Sequence, residues 1–157
     1  MKRFCLTALL AACACAALAQ EAGTAPGGSS FLLWEDLKKA IERHLGRPYV
    51  WGACGFKSFD CSGFLWRVMT DNGVLIKRTT ARKFYVALPK AEKDLSYSPG
   101  NVVFFDDLKH VGIVSDRGAF YHAAVTKGTH LAPFDPFWRR KVVGFRLIPQ
   151  PRKTALQ

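Results

Sequence analysis

One cysteine and two histidines have the residue types and order of a thiol hydrolase site. Cys61 lies in "FDCSGFLWRV" (59–68), directly behind an acidic residue and at the start of a helical pattern of apolar residues. His110 and His122 lie in separate short segments rich in Val, Ile and Phe. A thiol nucleophile needs a base that takes its proton and a third polar group that orients the base. Cys61, His110 and His122 can supply these roles in that order.

The helix carrying the cysteine is predicted to begin at Cys61, with Asp60 as its N-cap and Asn72-Gly73 as its end. The first turn of a helix has unpaired N–H groups and the positive end of the helix dipole, and both favour a thiolate. We therefore expect Cys61 to be a nucleophile that favours the thiolate. The alternative is a small core residue, which is the commoner environment of an isolated cysteine.

The two histidines are predicted to be diagonal neighbours on one face of an antiparallel hairpin. If residues 116–118 form a three-residue loop with Gly118 left-handed, Gly112 lies opposite His122, and His110 shares a face with His122. A two-residue loop would shift the register by one and send the histidines to opposite faces. The pairing therefore depends on the longer loop or on a β-bulge.

The surrounding elements indicate an α+β fold, with helices first and a sheet second. A first helix is predicted from Ser30, which caps it, to Gly46, and His44 on this helix is expected to be exposed. Antiparallel strands are predicted at 101–105, 110–115, 119–125 and 141–148.

The first thirty residues are predicted to lie outside the folded domain. Residues 1–19 have the basic start, apolar run and small residues of a cleavable secretory signal. A lipoprotein site that leaves Cys13 as a lipidated first residue is an alternative, and a retained membrane helix is disfavoured by the short apolar run. Residues 20–30 are interpreted as a flexible linker, 31–149 as the domain and 150–157 as a tail.

The chain is strongly basic, with a formal net charge of +11 over 157 residues, which falls to +9 when Lys2 and Arg3 leave with the signal. Basic residues cluster at 77–83 and 138–141. These clusters are expected to be solvated faces, and the functional alternative is attraction to an anionic polymer such as a cell wall or a membrane surface. No zinc-finger, phosphate-loop or nucleic-acid signature is found, so no metal, other cofactor or nucleic acid is predicted.

Several segments together resemble the successive motifs of the NlpC/P60 family of cell-wall cysteine peptidases: "RPYVWGACGFKSFDCSGFLWRVMTDNGV", "SPGNVVFF", "HVGIV" and "AFYHA". The resemblance extends over nearly all of 31–148. It implies a papain-like core in which the cysteine helix packs on an antiparallel sheet. It also implies that Cys61 is the nucleophile, His110 the general base and acid, and His122 the orienting residue.

The resemblance implies further site residues beside the cysteine. Tyr49 matches a tyrosine whose hydroxyl helps to stabilise the oxyanion, together with the backbone N–H of Cys61. Asp60 and Ser62 match positions that line the substrate groove, although each can equally be a helix cap and nothing more.

The remaining aromatic and histidine residues near these motifs are given other roles. His130 is interpreted as a loop histidine outside the site. Trp51 and Trp138 could line a groove, but core packing is the expected role of each.

One departure from the family pattern concerns Cys54. The usual second glycine after "PYVWG" is Ala53 here, and Cys54 follows it. Cys54 and Cys61 are the cysteines that remain once the signal is removed. We hypothesise that they form a disulfide under oxidation, which would silence the Cys61 thiol.

The resemblance implies the stem peptides of bacterial peptidoglycan as substrate, most often cleaved between the γ-carboxyl of D-glutamate and a diamino acid. The predicted protein is then a peptidoglycan endopeptidase exported to the periplasm or cell envelope, or secreted. A CHAP-type amidase is one alternative, but its third residue is usually Glu or Asn rather than a histidine such as His122. A catalytically silent wall-binding or adaptor domain is the other.

Overall fold

The structure is a computed structural model that describes residues 34–149 and residue 151. Its helices are α1 (Trp34–Glu42), α2 (Cys61–Asp71), α3 (Ala81–Ala87) and α4 (Pro136–Lys141), with a 3-10 turn at Lys93–Leu95. Its strands are β1 (Val102–Phe105), β2 (His110–Asp116), β3 (Ala119–Ala124), β4 (Gly128–Pro133) and β5 (Val142–Arg146). The predicted signal, linker and Ser30 cap lie outside the described residues, as does all of the tail except residue 151. In the described part, no helix has the length and apolar character needed to cross a bilayer.

The strands form a five-stranded antiparallel sheet in the order β4-β3-β2-β1-β5. With α1, α2 and α3 preceding it in the chain, this is the predicted α+β arrangement. Strand β4 was not predicted, because its sequence "GTHLAP" has Gly, Pro and polar residues where a strand pattern would alternate. Its ladder with β3 is nonetheless continuous over six residues.

A β-bulge sets the register between β2 and β3. The paired residues are Ile113 with Tyr121, Val114 with Phe120 and, after the bulge, Asp116 with Ala119. Ser115 is the extra residue. The loop therefore has two residues, and Gly118 is not left-handed, so of the two alternatives the structure has the β-bulge and not the three-residue loop. The bulge restores the register that puts the histidines on one face.

Apolar side chains cover both faces of the sheet. Along β1, Val102 and Phe104 face the helices, whereas Val103 and Phe105 face a second cluster that contains Phe120, Phe134 and the partly buried Trp138. The helical side of the core is formed mainly by Leu37, Ile41, Phe64, Leu65, Met69 and Phe84. Because α2 is buried along one side against this core, its first residue has a fixed position at the end of the sheet.

Helix α1 ends at Glu42, earlier than predicted, and His44 beyond it is buried rather than exposed. His44 Nε2 lies 2.7 Å from Asp71 Oδ2 at the end of α2, and Arg67 Nε lies 2.9 Å from the other Asp71 oxygen. His44 follows the buried Ile41 by three residues, so it continues the apolar stripe of α1. It links the segment after α1 to the end of α2, so the prediction that it is exposed is wrong.

Candidate active site

The start of α2 is held by Asp60, as predicted from the sequence. Asp60 Oδ1 accepts a hydrogen bond of 2.6 Å from the backbone N–H of Gly63, which is an N-cap contact. The carbonyl of Ala53 comes so close to Gly63 that a Cβ at this position would collide with it. A glycine is therefore required for the loop before the helix to pack against its first turn.

The sulfur of Cys61 lies against the backbone on both sides of His110. Sγ is 3.9 Å from the carbonyl oxygen of Lys109, and the backbone N–H of Val111 also interacts with the sulfur. His110 is the first residue of β2, so its backbone lies at the end of the sheet where α2 begins.

The loop that leads into His110 has an unusual backbone. Asp106, Asp107 and Leu108 have φ angles of 54°, 52° and 67°, in the left-handed region that residues with a Cβ seldom occupy. Lys109 N–H donates to the carbonyl of Asp106 at 3.0 Å and closes this turn. The turn brings the Lys109 carbonyl to Cys61.

The structure brings the two predicted histidines into direct contact. His110 Nε2 lies 2.7 Å from His122 Nδ1, and the two ring planes are nearly perpendicular. His122 is buried, with 1% of its surface exposed. The indole of Trp138 stacks on His110 with centroids 5.3 Å apart, so Trp138 packs as predicted and also fixes this imidazole.

Burial determines the protonation state of the thiol. Burial and the negative charge of Asp60 raise the pKa of Cys61 to about 11, although the backbone N–H groups of Val111, Ser62 and Cys61 itself lower it. The expectation that the helix N-terminus favours a thiolate is therefore wrong for the free protein. The N–H groups act in the expected direction, but burial and Asp60 outweigh them.

Burial has the opposite effect on the imidazoles, because their charged form is the protonated one. It lowers the pKa of His110 to about 4; Lys141 also lowers this pKa and Asp106 raises it. Burial, followed by His110 and His130, lowers the pKa of His122 to about 3. At neutral pH the free site therefore contains a thiol and two neutral imidazoles.

A cleft opens beside Cys61, and Tyr49, Asp60 and Ser62 line it. Burial, followed by the negative charges of Cys61 and Asp60, raises the pKa of Tyr49, so its phenol keeps its proton and can donate a hydrogen bond. Trp51 also lines the cleft and is 85% exposed, so the prediction that it packs in the core is wrong.

Arg78 lines the cleft, whereas its sequence predicted only a place in the solvated basic cluster at 77–83. Its Nη2 donates to both oxygens of Asp60, at 2.8 Å each, and Nη1 donates to Ser62 Oγ at 3.0 Å. Asp60 also accepts from the Gly52 N–H at 2.9 Å and from Ser62 Oγ at 3.0 Å. The ion pair is only 23% exposed at Arg78 and 10% at Asp60. No local sequence pattern connects residues so far apart in the chain.

Two further cations lie on the cleft wall. Arg82 and Lys109 are exposed, and neither pairs with a carboxylate of residues 34–149. Arg82 Nη2 donates to the Asp107 carbonyl at 2.8 Å, which holds its guanidinium at the rim. Anionic groups entering the cleft would meet these charges.

His130 and Cys54 lie close to the site. His130 belongs to strand β4, directly opposite His122 in the ladder, so its assignment to a loop is wrong. Cys54 and Cys61 are both free thiols. Their disulfide stays a prediction, which counting of free thiols after exposure to air would test. Within the described residues, no cluster of three or more His, Cys, Asp or Glu side chains could hold a metal ion.

Comparison with known proteins identifies the family. Residues 46–147 match the NlpC/P60 family, and the chain therefore belongs to it. The "Probable endopeptidase p60" of Listeria seeligeri is 32% identical over 107 residues, which cover 66% of this chain and 20% of that protein. The chain thus corresponds to about a fifth of the length of that relative.

Solved structures share the fold. An NLP/P60 family protein from Staphylococcus aureus, described as similar to a lipoprotein, aligns with a TM-score of 0.65 and 25% identity over 74% of this chain and 41% of that chain. RipD from Mycobacterium tuberculosis, described as a non-catalytic NlpC/p60 domain protein adapted to peptidoglycan binding, aligns with a TM-score of 0.60 and 13% identity over 73% of this chain and 95% of that chain. The predicted family and fold are confirmed.

Proposed function

We propose that this protein is an exported cysteine endopeptidase that cleaves the stem peptides of bacterial peptidoglycan. Cys61 is the nucleophile, His110 the general base and acid, and His122 the residue that orients His110. The observation that carries the proposal is the 2.7 Å contact between His110 Nε2 and His122 Nδ1, formed where the Cys61 sulfur meets the backbone on both sides of His110.

The first half of the reaction forms a thioester. Because Nε2 of His110 is engaged by His122, Nδ1 is the nitrogen that must meet the Cys61 thiol. Nδ1 takes the proton from Sγ while the sulfur attacks the carbonyl carbon of the scissile peptide bond. The carbon–nitrogen bond then breaks, and the His110 imidazolium gives the proton to the leaving amine.

The second half regenerates the thiol. A water molecule attacks the thioester carbonyl and gives a proton to His110 Nδ1, the carbon–sulfur bond breaks, and the proton returns to the sulfur. In both halves the oxyanion accepts hydrogen bonds from the Cys61 N–H and the protonated Tyr49 hydroxyl. The Trp138 indole stacked on His110 favours the transient imidazolium through its π face.

A neutral resting pair is compatible with this sequence of steps. With the pKa of Cys61 at about 11 and that of His110 at about 4, proton transfer is unfavourable before substrate binds. If the thiol proton is transferred while the sulfur attacks the carbonyl carbon, no free thiolate forms. The negative charge then passes directly to the oxyanion, which accepts hydrogen bonds from the Cys61 N–H and the Tyr49 hydroxyl. His110 acts as a general base in each turnover rather than as half of a preformed ion pair.

Cations in the cleft support an acidic peptide as the substrate. Arg82 and Lys109 have no carboxylate partner among the described residues, whereas Asp60 already forms an ion pair with Arg78. Peptidoglycan stem peptides carry free carboxylates, and the bond we propose joins the γ-carboxyl of D-glutamate to a diamino acid. The signal-like residues 1–19 support export to the cell envelope.

A wall-binding domain without catalysis is the second candidate, and one observation favours it. The fold is shared with RipD, which is described as non-catalytic. The presence of Cys61, His110 and His122 together favours the enzyme, since a binding domain has no need for two histidines in contact at a strand end where a thiol meets the backbone.

The test is mass spectrometry of defined muropeptides incubated with the purified protein under reductant. Cys61→Ala is the test variant, and Cys54→Ala is the matched control because it removes the neighbouring thiol instead. We expect one new peptide-bond cleavage with the wild type and with Cys54→Ala, and none with Cys61→Ala. The product masses identify the bond and separate an endopeptidase from an amidase that releases the whole stem.

Two results would contradict the proposal. Cleavage by Cys61→Ala would exclude Cys61 as the nucleophile. No cleavage by any variant, with equal co-sedimentation of all of them with insoluble peptidoglycan, would favour the binding domain.

A further inference from the structure

A third imidazole lies against the catalytic pair. His130 on β4 is the ladder partner of His122, and the centroids of their rings are 4.6 Å apart. The three imidazoles therefore follow one another across neighbouring strands, from His110 on β2 to His122 on β3 and His130 on β4.

The hydrogen bond of His130 determines which of its nitrogens carries the proton. Nδ1 lies 3.0 Å from the carbonyl oxygen of Gly128. A carbonyl can only accept, so in the neutral ring Nδ1 carries the hydrogen and Nε2 is left with a lone pair. His130 thus offers an acceptor next to His122.

The proposed reaction determines the tautomer of His122 in the same way. For His110 Nδ1 to act as a base, the hydrogen of neutral His110 must be on Nε2, which then donates to His122 Nδ1. The hydrogen of His122 must therefore be on its Nε2. This nitrogen is buried and has no hydrogen-bond partner among the described residues.

We infer that His130 is a positioning residue for catalysis, whose Nε2 accepts a hydrogen bond from His122 Nε2–H through one bridging water and so holds His122 in the tautomer that His110 needs. This inference rests on the proposed function, since it concerns the orientation of the proposed base. It extends the Cys-His-His site by a further histidine.

The physical argument is the cost of the alternative. A buried N–H donor without an acceptor is destabilised relative to a satisfied one, because it has lost its hydrogen bond to water and gained none in the protein. Without His130, the proton of His122 would move to Nδ1, which already has His110 as a neighbour. His122 would then donate to His110 Nε2 and force the His110 proton onto Nδ1, facing the thiol. That state cannot accept the Cys61 proton.

The surroundings of His122 leave few other acceptors. Trp138 and Phe120 pack against its ring, and His110 and His130 are its neighbours on the adjoining strands. Asp106 and Lys141 are the charged groups that act on His110. Neither is a hydrogen-bond partner of His122 in the structure, so His130 is the neighbour with a free lone pair.

The first experiment reads the tautomer without any substrate. Side-chain 15N NMR of the labelled protein at pH 7.5 distinguishes Nε2–H from Nδ1–H imidazoles, and His122→Gln assigns the His122 signals. His130→Phe keeps a ring without an acceptor, and His130→Gln keeps an acceptor. We expect His122 in the Nε2–H form in the wild type and in His130→Gln, and a substantial Nδ1–H fraction in His130→Phe. An unchanged His122 tautomer in a folded His130→Phe protein would overturn the inference.

The second experiment is muropeptide cleavage by the same variants. We expect His130→Phe to lose roughly 10- to 100-fold in kcat with KM within about twofold, which is less than the roughly 10⁴-fold effect of changing an orienting residue itself. His130→Gln should restore most of kcat. Equal losses in both variants would mean a structural role only and would overturn the inference. If the wild type cleaves no substrate, the proposed function fails while the NMR result still decides the tautomer.

Discussion

His110 Nε2 lies 2.7 Å from His122 Nδ1 because a bulge at Ser115 compensates for the short loop between their strands. A regular hairpin closed by Arg117 and Gly118 would place the two rings on opposite faces of the sheet. The bulge inserts one residue between the loop and the paired region, so the register is corrected before the histidines are reached. The position of His110, the proposed base, thus depends on a residue several positions away from it.

The raised pKa of Cys61 predicts that its thiol reacts slowly at neutral pH. With the pKa at about 11, the thiolate fraction and the rate of alkylation by iodoacetamide should rise about tenfold per pH unit between pH 7 and pH 10. Peptide mass spectrometry measures the rate at Cys61 separately from that at Cys54, which serves as the internal comparison. A rate that is high and constant from pH 6 to pH 8 would instead indicate a preformed thiolate–imidazolium pair.

The lowered pKa values of the histidines predict a loss of stability in mild acid. The pKa is about 4 for His110 and about 3 for His122 in the folded protein, against 6.5 for a free imidazole. Between pH 6.5 and pH 4 the unfolded chain therefore binds more protons than the folded one, and the free energy of unfolding falls as the pH falls. In this range each such histidine lowers the free energy of unfolding by about 1.4 kcal/mol for every unit that the pH falls. Above pH 6.5 this loss is absent.

Urea unfolding across this pH range measures the slope. The control is His122→Gln, which cannot take up the proton and should therefore give a shallower decline than the wild type. Paired carboxylates also lose their interactions in acid, but they do so equally in both proteins. Identical slopes for the two proteins would show that His122 is not held neutral.

The ion pair of Arg78 with Asp60 predicts a combined effect on stability and catalysis. Arg78→Met leaves a buried carboxylate without its cation and should lower the free energy of unfolding by about 2 kcal/mol, the cost of losing a hydrogen-bonded charge. It should also raise the pKa of Cys61 further, because the charge of Asp60 is no longer neutralised. The alkylation rate at pH 8 should then fall. Arg78→Lys keeps the charge and should be intermediate; wild-type values for Arg78→Met in both measurements would refute this role.

The two cleft cations without a carboxylate partner in the described part of the chain predict substrate attraction that depends on salt. Replacing both Arg82 and Lys109 by Gln should raise KM for acidic stem peptides several-fold at low ionic strength and leave kcat nearly unchanged. Lys127→Gln is the control, because it removes an exposed charge from the turn between β3 and β4. The difference in KM should shrink in 0.5 M salt. A KM change of equal size at both salt concentrations would point to a contact other than charge.

Features that depend on near neighbours in the chain could be predicted from the sequence. The start of α2 and its Asp60 cap follow from capping preferences, and the strands that carry His110 and His122 follow from short segments rich in Val, Ile and Phe between polar turns. The family motifs identified the fold as well. The register between β2 and β3 was predicted on the condition that the hairpin has either a longer loop or a bulge. Only the three-dimensional structure shows which of the two is present.

Features that depend on burial could not be predicted in the same way. The pKa of Cys61 moved opposite to the expected direction, because the desolvation of a side chain is a property of the packed core and not of the helix start. Arg78 joins Asp60 across a long stretch of chain, and β4 is a strand because β3 provides the ladder for it. His44 was assigned to the surface because its hydrogen-bond partner, Asp71, belongs to another helix.

Strand order gives the three imidazoles unequal protection from local opening. His110 and His122 lie on β2 and β3, which have a neighbouring strand on each side, whereas His130 lies on β4 at the edge of the sheet. Edge strands separate at a lower free energy than central ones. Gly46 and Arg47 hydrogen-bond Thr129 on the outer side of β4, so we expect the amide protons of 130–132, beyond this contact, to exchange with deuterated solvent before those of β2. Such an opening removes His130 from the site, while His110 and His122 stay in contact on the inner strands. We expect this local opening to disconnect the outermost histidine reversibly while the core stays folded.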